Sequence, residues 1–142
     1  MQINGHDYNF GKLNARKQFH IMRRLTPVLS ELTPLIKMFN QKRDDESNTG
    51  LQLIEHIAKT LGGLKDDDAD FILDGLLDSI TRDNGNGLGF SSVRVNGVTM
   101  FADIDMPTEL TLAYHAIKAN FTDFIPAIRS ALSKAPTAPS VL

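Results

Sequence analysis

Four histidines and a cluster of aspartates are the residues best equipped for chemistry, and their spacing decides what is open to them. His6, His20, His56 and His115 lie far apart, and none falls in a His-Glu-x-x-His or other ligand spacing. No serine occupies a Gly-x-Ser-x-Gly elbow, although a Ser, His and Asp assembled only by folding would leave no sequence trace. The absence of cysteine excludes a thiol nucleophile, a thiolate metal site and a disulfide framework. Asp66, Asp67, Asp68, Asp70, Asp74 and Asp78 are numerous enough for a hard cation, which wants several carboxylates. On a helix, however, Asp70, Asp74 and Asp78 form an i, i+4 column with steps of about 6 Å, which lines a face without converging on a point. A solvated or salt-bridged acidic face is the expectation. "DNGNGLGFSSVR" has the outline of a calcium loop, yet its twelfth position is Arg94, where a bidentate Glu is required. Its Gly85-x-Gly87-x-Gly89 is one residue short of the dinucleotide fingerprint and leads into a strand, whereas a phosphate cradle needs a helix N-terminus. No catalytic residue, metal site or cofactor is expected.

The strongest charge feature is "KLNARKQFHIMRRLTPVL", Lys12 to Leu29, where Lys12, Arg16, Lys17, His20, Arg23 and Arg24 wind around an apolar stripe. The net charge of −2 conceals an asymmetry: residues 1–43 hold eight Lys/Arg against two acids, and residues 44–142 hold seven against fifteen. Two fates are open to the basic helix. It docks the acidic column Asp70, Asp74 and Asp78 within the fold, or it meets an external anionic partner. Nucleic acid is the obvious external candidate, since counterion release would supply affinity. Against it stand the lack of a helix-turn-helix pattern, the few aromatics among the cations and the acidic remainder of the chain.

These residues must be carried by elements. "QINGHDYNFG" alternates weakly around Asn4-Gly5, a favoured two-residue turn, and predicts a small opening hairpin or strand ended by Gly11. An amphipathic helix follows, with Asn14 as its N-cap, Ala15, Phe19, Ile21, Met22 and Leu25 on the apolar arc and Lys12, Arg16, His20, Arg23 and Arg24 opposite. Thr26-Pro27 and Thr33-Pro34 predict further short helical turns to about Phe39. Asn40–Gly50 reads as an exposed polar loop. Leu51, Leu53, Ile54, Ile57, Ala58 and Leu61 recur at helical spacing until Gly62-Gly63, and "DDDADFILDGLLDSI" gives an antiparallel partner helix. The period then changes: "SSVRVNGVTMF" holds two β-rich runs around Asn96-Gly97, the type I′ dipeptide. Asp105 and Pro107 open a last helix whose stripe is Leu110, Ala113, Ile117 and Phe121, continued by Phe124, Ile128 and Leu132 beyond Pro126. "SKAPTAPSVL" reads as a frayed tail.

The chain of 142 residues, 42% apolar and 23% charged, is long enough for a real core. The expected class is α+β, mostly helical, with several packed helices and a small antiparallel β-hairpin element, in one domain over residues 1–134 with a flexible tail over 135–142. The start carries no signal-peptide pattern and no apolar run is long enough to span a bilayer, so a cytoplasmic protein away from membranes is expected. Asn120-Phe121-Thr122 matches the glycosylation sequon and is read as accidental.

Two segments at opposite ends carry a family likeness. "KLNARKQFHIMRRLTPVL", with its Leu-Asn, Gln-Phe-His and Arg-Arg-Leu-x-Pro elements, resembles the N-terminal segment of the tail assembly chaperones of tailed bacteriophages and prophages. "AIKANFTDFIPAI" is similar to that family's last helix, where an Asn-Phe followed by a Phe closes the domain. The resemblance implies a non-catalytic protein of the host bacterial cytoplasm that binds the tape-measure protein, keeps it soluble and assists tail-tube assembly, and is absent from the mature virion. Implied partners are the tape-measure protein, the tail-tube protein and a longer frameshifted form of the chain itself. The resemblance transfers no binding residues. The residues themselves offer Arg16, His20, Arg23 and Arg24 as the partner-binding surface, with Phe19, Met22, Leu25, Phe121 and Phe124 expected in the core. The alternatives are a structural tail subunit or a phage-encoded DNA-binding regulator using helix 12–25. Oligomeric state is left open.

Overall fold

Asn4 and Gly5 both take the left-handed backbone region, at φ 52° and 80°, as a two-residue type I′ turn demands. The structure, a computed structural model, describes residues 1–31 and 46–121, with the side chains of 29, 30, 46–51 and 53 set aside. The turn joins β1 (Gln2–Ile3) to β2 (His6–Phe10) in the expected hairpin. Helix α1 (Ala15–Leu25) is capped by Asn14, whose Oδ1 accepts the Lys17 N–H at 2.8 Å. It passes at Thr26-Pro27 into a 3₁₀ segment, Thr26–Glu31. Thr33-Pro34, the polar stretch from Asn40 to 45, the apolar continuation Phe124, Ile128 and Leu132 beyond Pro126, and the tail over 135–142 lie outside the described residues.

Helix α2 (Glu46–Gly62) and helix α3 (Asp66–Leu77) follow, joined by the short Gly63 turn. The polar stretch read as a loop up to Gly50 is thus corrected, because Glu46–Gly50 forms the start of α2. A second correction concerns the end of α3. The sequence predicts a helix through Ile80, but Ser79 turns back on it, its N–H and Oγ both donating to the Leu76 carbonyl. Ile80 begins β3 (Ile80–Asp83).

Strand β3 extends the opening hairpin into a four-stranded sheet, larger than the small hairpins expected. It pairs antiparallel with β2, Tyr8 opposite Arg82 and Phe10 opposite Ile80, and on its other edge with β4 (Phe90–Ser92), giving the order β1-β2-β3-β4. The glycine-rich link is a defined turn: Asn84 N–H bonds to the Gly89 carbonyl at 2.8 Å, and Gly85, Asn86, Gly87 and Gly89 all have positive φ. The Asn96-Gly97 hairpin forms as expected, β5 (Arg94–Val95) against β6 (Val98–Thr99), although each strand is only two residues long.

Helix α4 (Met106–Phe121) is the hub, packed against α2, α3 and β2. Its start is fixed by Asp105 Oδ1, which accepts both the N–H and the hydroxyl of Thr108, and Asn4 Nδ2 donates to that same hydroxyl. The expected stripe Leu110, Ala113, Ile117 and Phe121 is buried, and Tyr114 on one flank and Ala116 and Leu112 on the other widen it. The buried arc spans more than half the circumference and leaves Thr111, His115, Lys118 and Ala119 as one half-buried face, so the helix packs against several elements at once. Around it Tyr8, Ile21, Leu25, Ile57, Ile72, Leu76, Ile80 and Val93 complete one core.

Candidate functional site

The cations of α1 divide between two directions. Helix α1 lies against α3 at Gly75, where an added Cβ would stand 3.0 Å from Ile21 Cδ1 and 3.1 Å from Lys17 Cε. This close approach brings Lys17 Nζ to 4.8 Å and the Arg24 guanidinium to 4.0 Å from the centre of the Phe71 ring. Arg24 Nη1 also donates to Asp68 Oδ1 at 2.8 Å. Lys17 and Arg24 therefore glue α1 to α3. Arg16 and Arg23 are exposed, and Arg23 Nη2 lies 3.4 Å from His20 Nδ1. Of the four residues proposed for the partner surface, Arg16, His20 and Arg23 share the outward face and Arg24 is turned inward.

The acid met by α1 is Asp68, not the column. Asp74 pairs instead with Arg94 Nε of the second hairpin at 2.7 Å, while Asp70 and Asp78 are exposed. The reason is rotational: the face of α3 that receives α1 is Asp68, Phe71, Ile72 and Gly75, and Asp70 and Asp74 lie roughly 110–150° round the helix from its centre. Among the described residues, no three of His, Asp and Glu are grouped as metal ligands would be.

Phe19 is the main correction to the expected core. It is 59% exposed, its ring 5.4 Å from that of His20. Ile21 and Leu25 are buried and Met22 is packed against the core as expected, and Phe121 is buried. What rotates the helix is a polar residue: Gln18 Nε2 donates to both the carbonyl and the Oδ1 of Asn120, at 3.3 and 3.2 Å. On the helical wheel Gln18 falls between Leu25 and Met22, inside the buried arc, while Phe19 lies at that arc's edge beside Lys12 and Arg23 and is turned out. The resulting outward stripe is Arg16, Phe19, His20 and Arg23, at i, i+3, i+4 and i+7.

Sequence reasoning also passed over a second exposed apolar group. Leu88, Phe90, Val95, Val98, Met100 and Met106 are all exposed, on the glycine-rich turn, β4, the second hairpin and the start of α4. Strand alternation gives part of the signal. Arg94 and Thr99 are register partners, with Arg94 Nη1 donating to Thr99 Oγ1 at 2.6 Å and the guanidinium reaching Asp74 and Glu109, so Val95 and Val98 face away.

Elsewhere the polar clusters tie elements together. Arg82, buried beside Tyr8 and 4.3 Å from the Phe101 ring centre, donates to both oxygens of Asp103 at 2.9 Å, and His6 Nε2 lies 3.1 Å from its Nη2. The Arg82 guanidinium holds the Asp103 carboxyl below its ordinary range. His115, packed on Phe10 and Tyr114, is pushed down to about 4 by burial, with the Lys118 charge acting in the same direction. No described helix is long and apolar enough to cross a membrane.

Among curated proteins and among solved structures nothing matches the chain. The sequence model of the phage tail assembly chaperone protein family matches residues 4–133, taking in both end segments and the whole described fold between them, and the chain belongs to that family.

Proposed function

We propose that the protein binds the tape-measure protein during phage morphogenesis, keeps it soluble and assists assembly of the tail tube, without catalysis. The carrying observation is the family match over residues 4–133. Family membership implies interaction with phage tail proteins, and the tape-measure protein is the tail component whose long helical chain most needs shielding before a tube surrounds it. Action in the host cytoplasm, release before the virion is complete, and partnership with the tail-tube protein and a frameshifted longer form complete the reading. The exposed Arg16 and Arg23, with the half-buried His20 between them, support a partner surface on α1. Arg24 contributes by holding α1 on α3 through Asp68.

The test is co-expression with the tape-measure protein encoded in the same genome, scoring solubility and copurification, with purified particles then examined by mass spectrometry. A soluble complex and a chain absent from particles are expected. Many copies retained in the particle would make it a structural tail subunit instead.

A further inference from the structure

Resting on the chaperone reading, we infer that Arg16, Phe19, His20 and Arg23 form the docking face for an acidic amphipathic helix of the tape-measure protein, with Phe19 as its apolar anchor. The four side chains occupy one line along α1, two turns and about 10 Å long. Phe19 lies at its middle, more exposed than covered, and its ring is braced by His20, which Arg23 in turn approaches. Residues 15–25 contain no acid, and among the described residues neither Arg16 nor Arg23 has an acidic partner.

An aromatic ring bracketed by cations selects its occupant by two criteria. An acidic loop satisfies the charges and leaves the ring wet, and an apolar helix covers the ring and leaves the charges unused. A helix with carboxylates about two turns apart and an apolar residue between them satisfies both, in the helix-on-groove mode of recognition. Apolar burial then supplies affinity, while charge sets register and association rate. A phosphodiester backbone fits less well. Its charges are continuous, and the exposed Asp66, Asp67 and Asp70, on the sides of α3 turned away from α1, add a longer-range repulsion.

The test uses the full chain co-purified with the tape-measure protein, then a walk of 25-residue peptides along that protein. Phe19→Ala and the pair Arg16→Glu with Arg23→Glu are each expected to weaken the complex about tenfold or more, with Phe19→Tyr close to wild type. Circular dichroism should be unchanged, because these side chains are exposed. The tightest peptides should be acidic amphipathic helices whose binding is lost in Phe19→Ala. If the wild type binds and Phe19→Ala binds equally well, the docking face is wrong and the chaperone reading stands. If the wild type binds no part of the tape-measure protein, that reading fails and the inference falls with it. Salt-dependent retention of duplex DNA that Phe19→Ala abolishes would assign the stripe to nucleic acid and overturn the proposal.

Discussion

The backbone N–H of Leu13 donates to Asn120 Oδ1 across 2.7 Å and 107 residues of sequence. Gln18 reaches the same Asn120 from the next turn of chain, and Asn120 Nδ2 donates back to the Ala116 carbonyl. Asn120 is 2% exposed, so this is a satisfied polar node inside the core. It also joins the two segments in which the family likeness was visible. The Leu-Asn and Gln-Phe-His elements and the terminal Asn-Phe are parts of one contact.

Asn120→Leu should therefore cost about 2–4 kcal/mol, because it strands the Leu13 N–H in a site closed to water while nearly conserving volume. Chemical denaturation measures it. A cost under about 0.5 kcal/mol would mean that water replaces the amide and that the node is not structural.

The division of cations on α1 gives a second expectation. Arg24→Gln removes the Asp68 pair and the stacking on Phe71, and should cost on the order of 1 kcal/mol, discounted for its partial exposure. Arg16→Gln and Arg23→Gln should fall within about 0.5 kcal/mol of wild type. Melting curves of the three variants suffice, and equal losses at all three positions would contradict the split.

Local chemistry made much of this fold legible. Asn4-Gly5 and Asn96-Gly97 each require left-handed backbone at two successive residues, and Asn14 and Asp105 each cap a helix at the position their side chains favour. Strand β3 escaped because four residues, Ile80 to Asp83, carry too little periodicity, and its identity comes from pairing with β2 some seventy residues away. The orientation of α1 escaped for a related reason. The place of Gln18 between Leu25 and Met22 on the wheel was legible, but the Asn120 amide that meets it, a hundred residues on, was not. The basic character of the candidate surface was legible; which cations face out, and that Phe19 joins them, depended on tertiary contacts.

Stability should decline as pH falls from 6.5 toward 4, well before most carboxylates titrate. His115 is near its ordinary value of 6.5 when unfolded and about 4 when folded, so in this window the unfolded chain binds the extra proton and is favoured. The loss approaches about 3 kcal/mol as an upper bound. His115→Leu should flatten the profile between pH 6.5 and 4.5. A wild-type profile already flat there would show that His115 stays solvated.

Arg82 and Asp103 should respond unequally to replacement. Arg82 lies between the rings of Tyr8 and Phe101 with its charge balanced by a half-exposed Asp103. Arg82→Met keeps much of the packing volume and removes the need to desolvate a guanidinium, so its cost should stay within about 1 kcal/mol. Asp103→Asn leaves that guanidinium buried without its counter-charge, beside His6 whose Nε2 accepts from Arg82 only while neutral. It should cost more, on the order of 1–2 kcal/mol after allowing for solvent around the carboxylate. The pH dependence separates the variants further. Asp103 titrates below its ordinary 3.8, so it stabilises the fold above that value and loses the contribution as pH falls through the carboxylate range. Asp103→Asn and Arg82→Met should both remove this component of acid sensitivity. If Arg82→Met proved the costlier variant, the guanidinium would be contributing through its stacking on Phe101 more than its burial takes away.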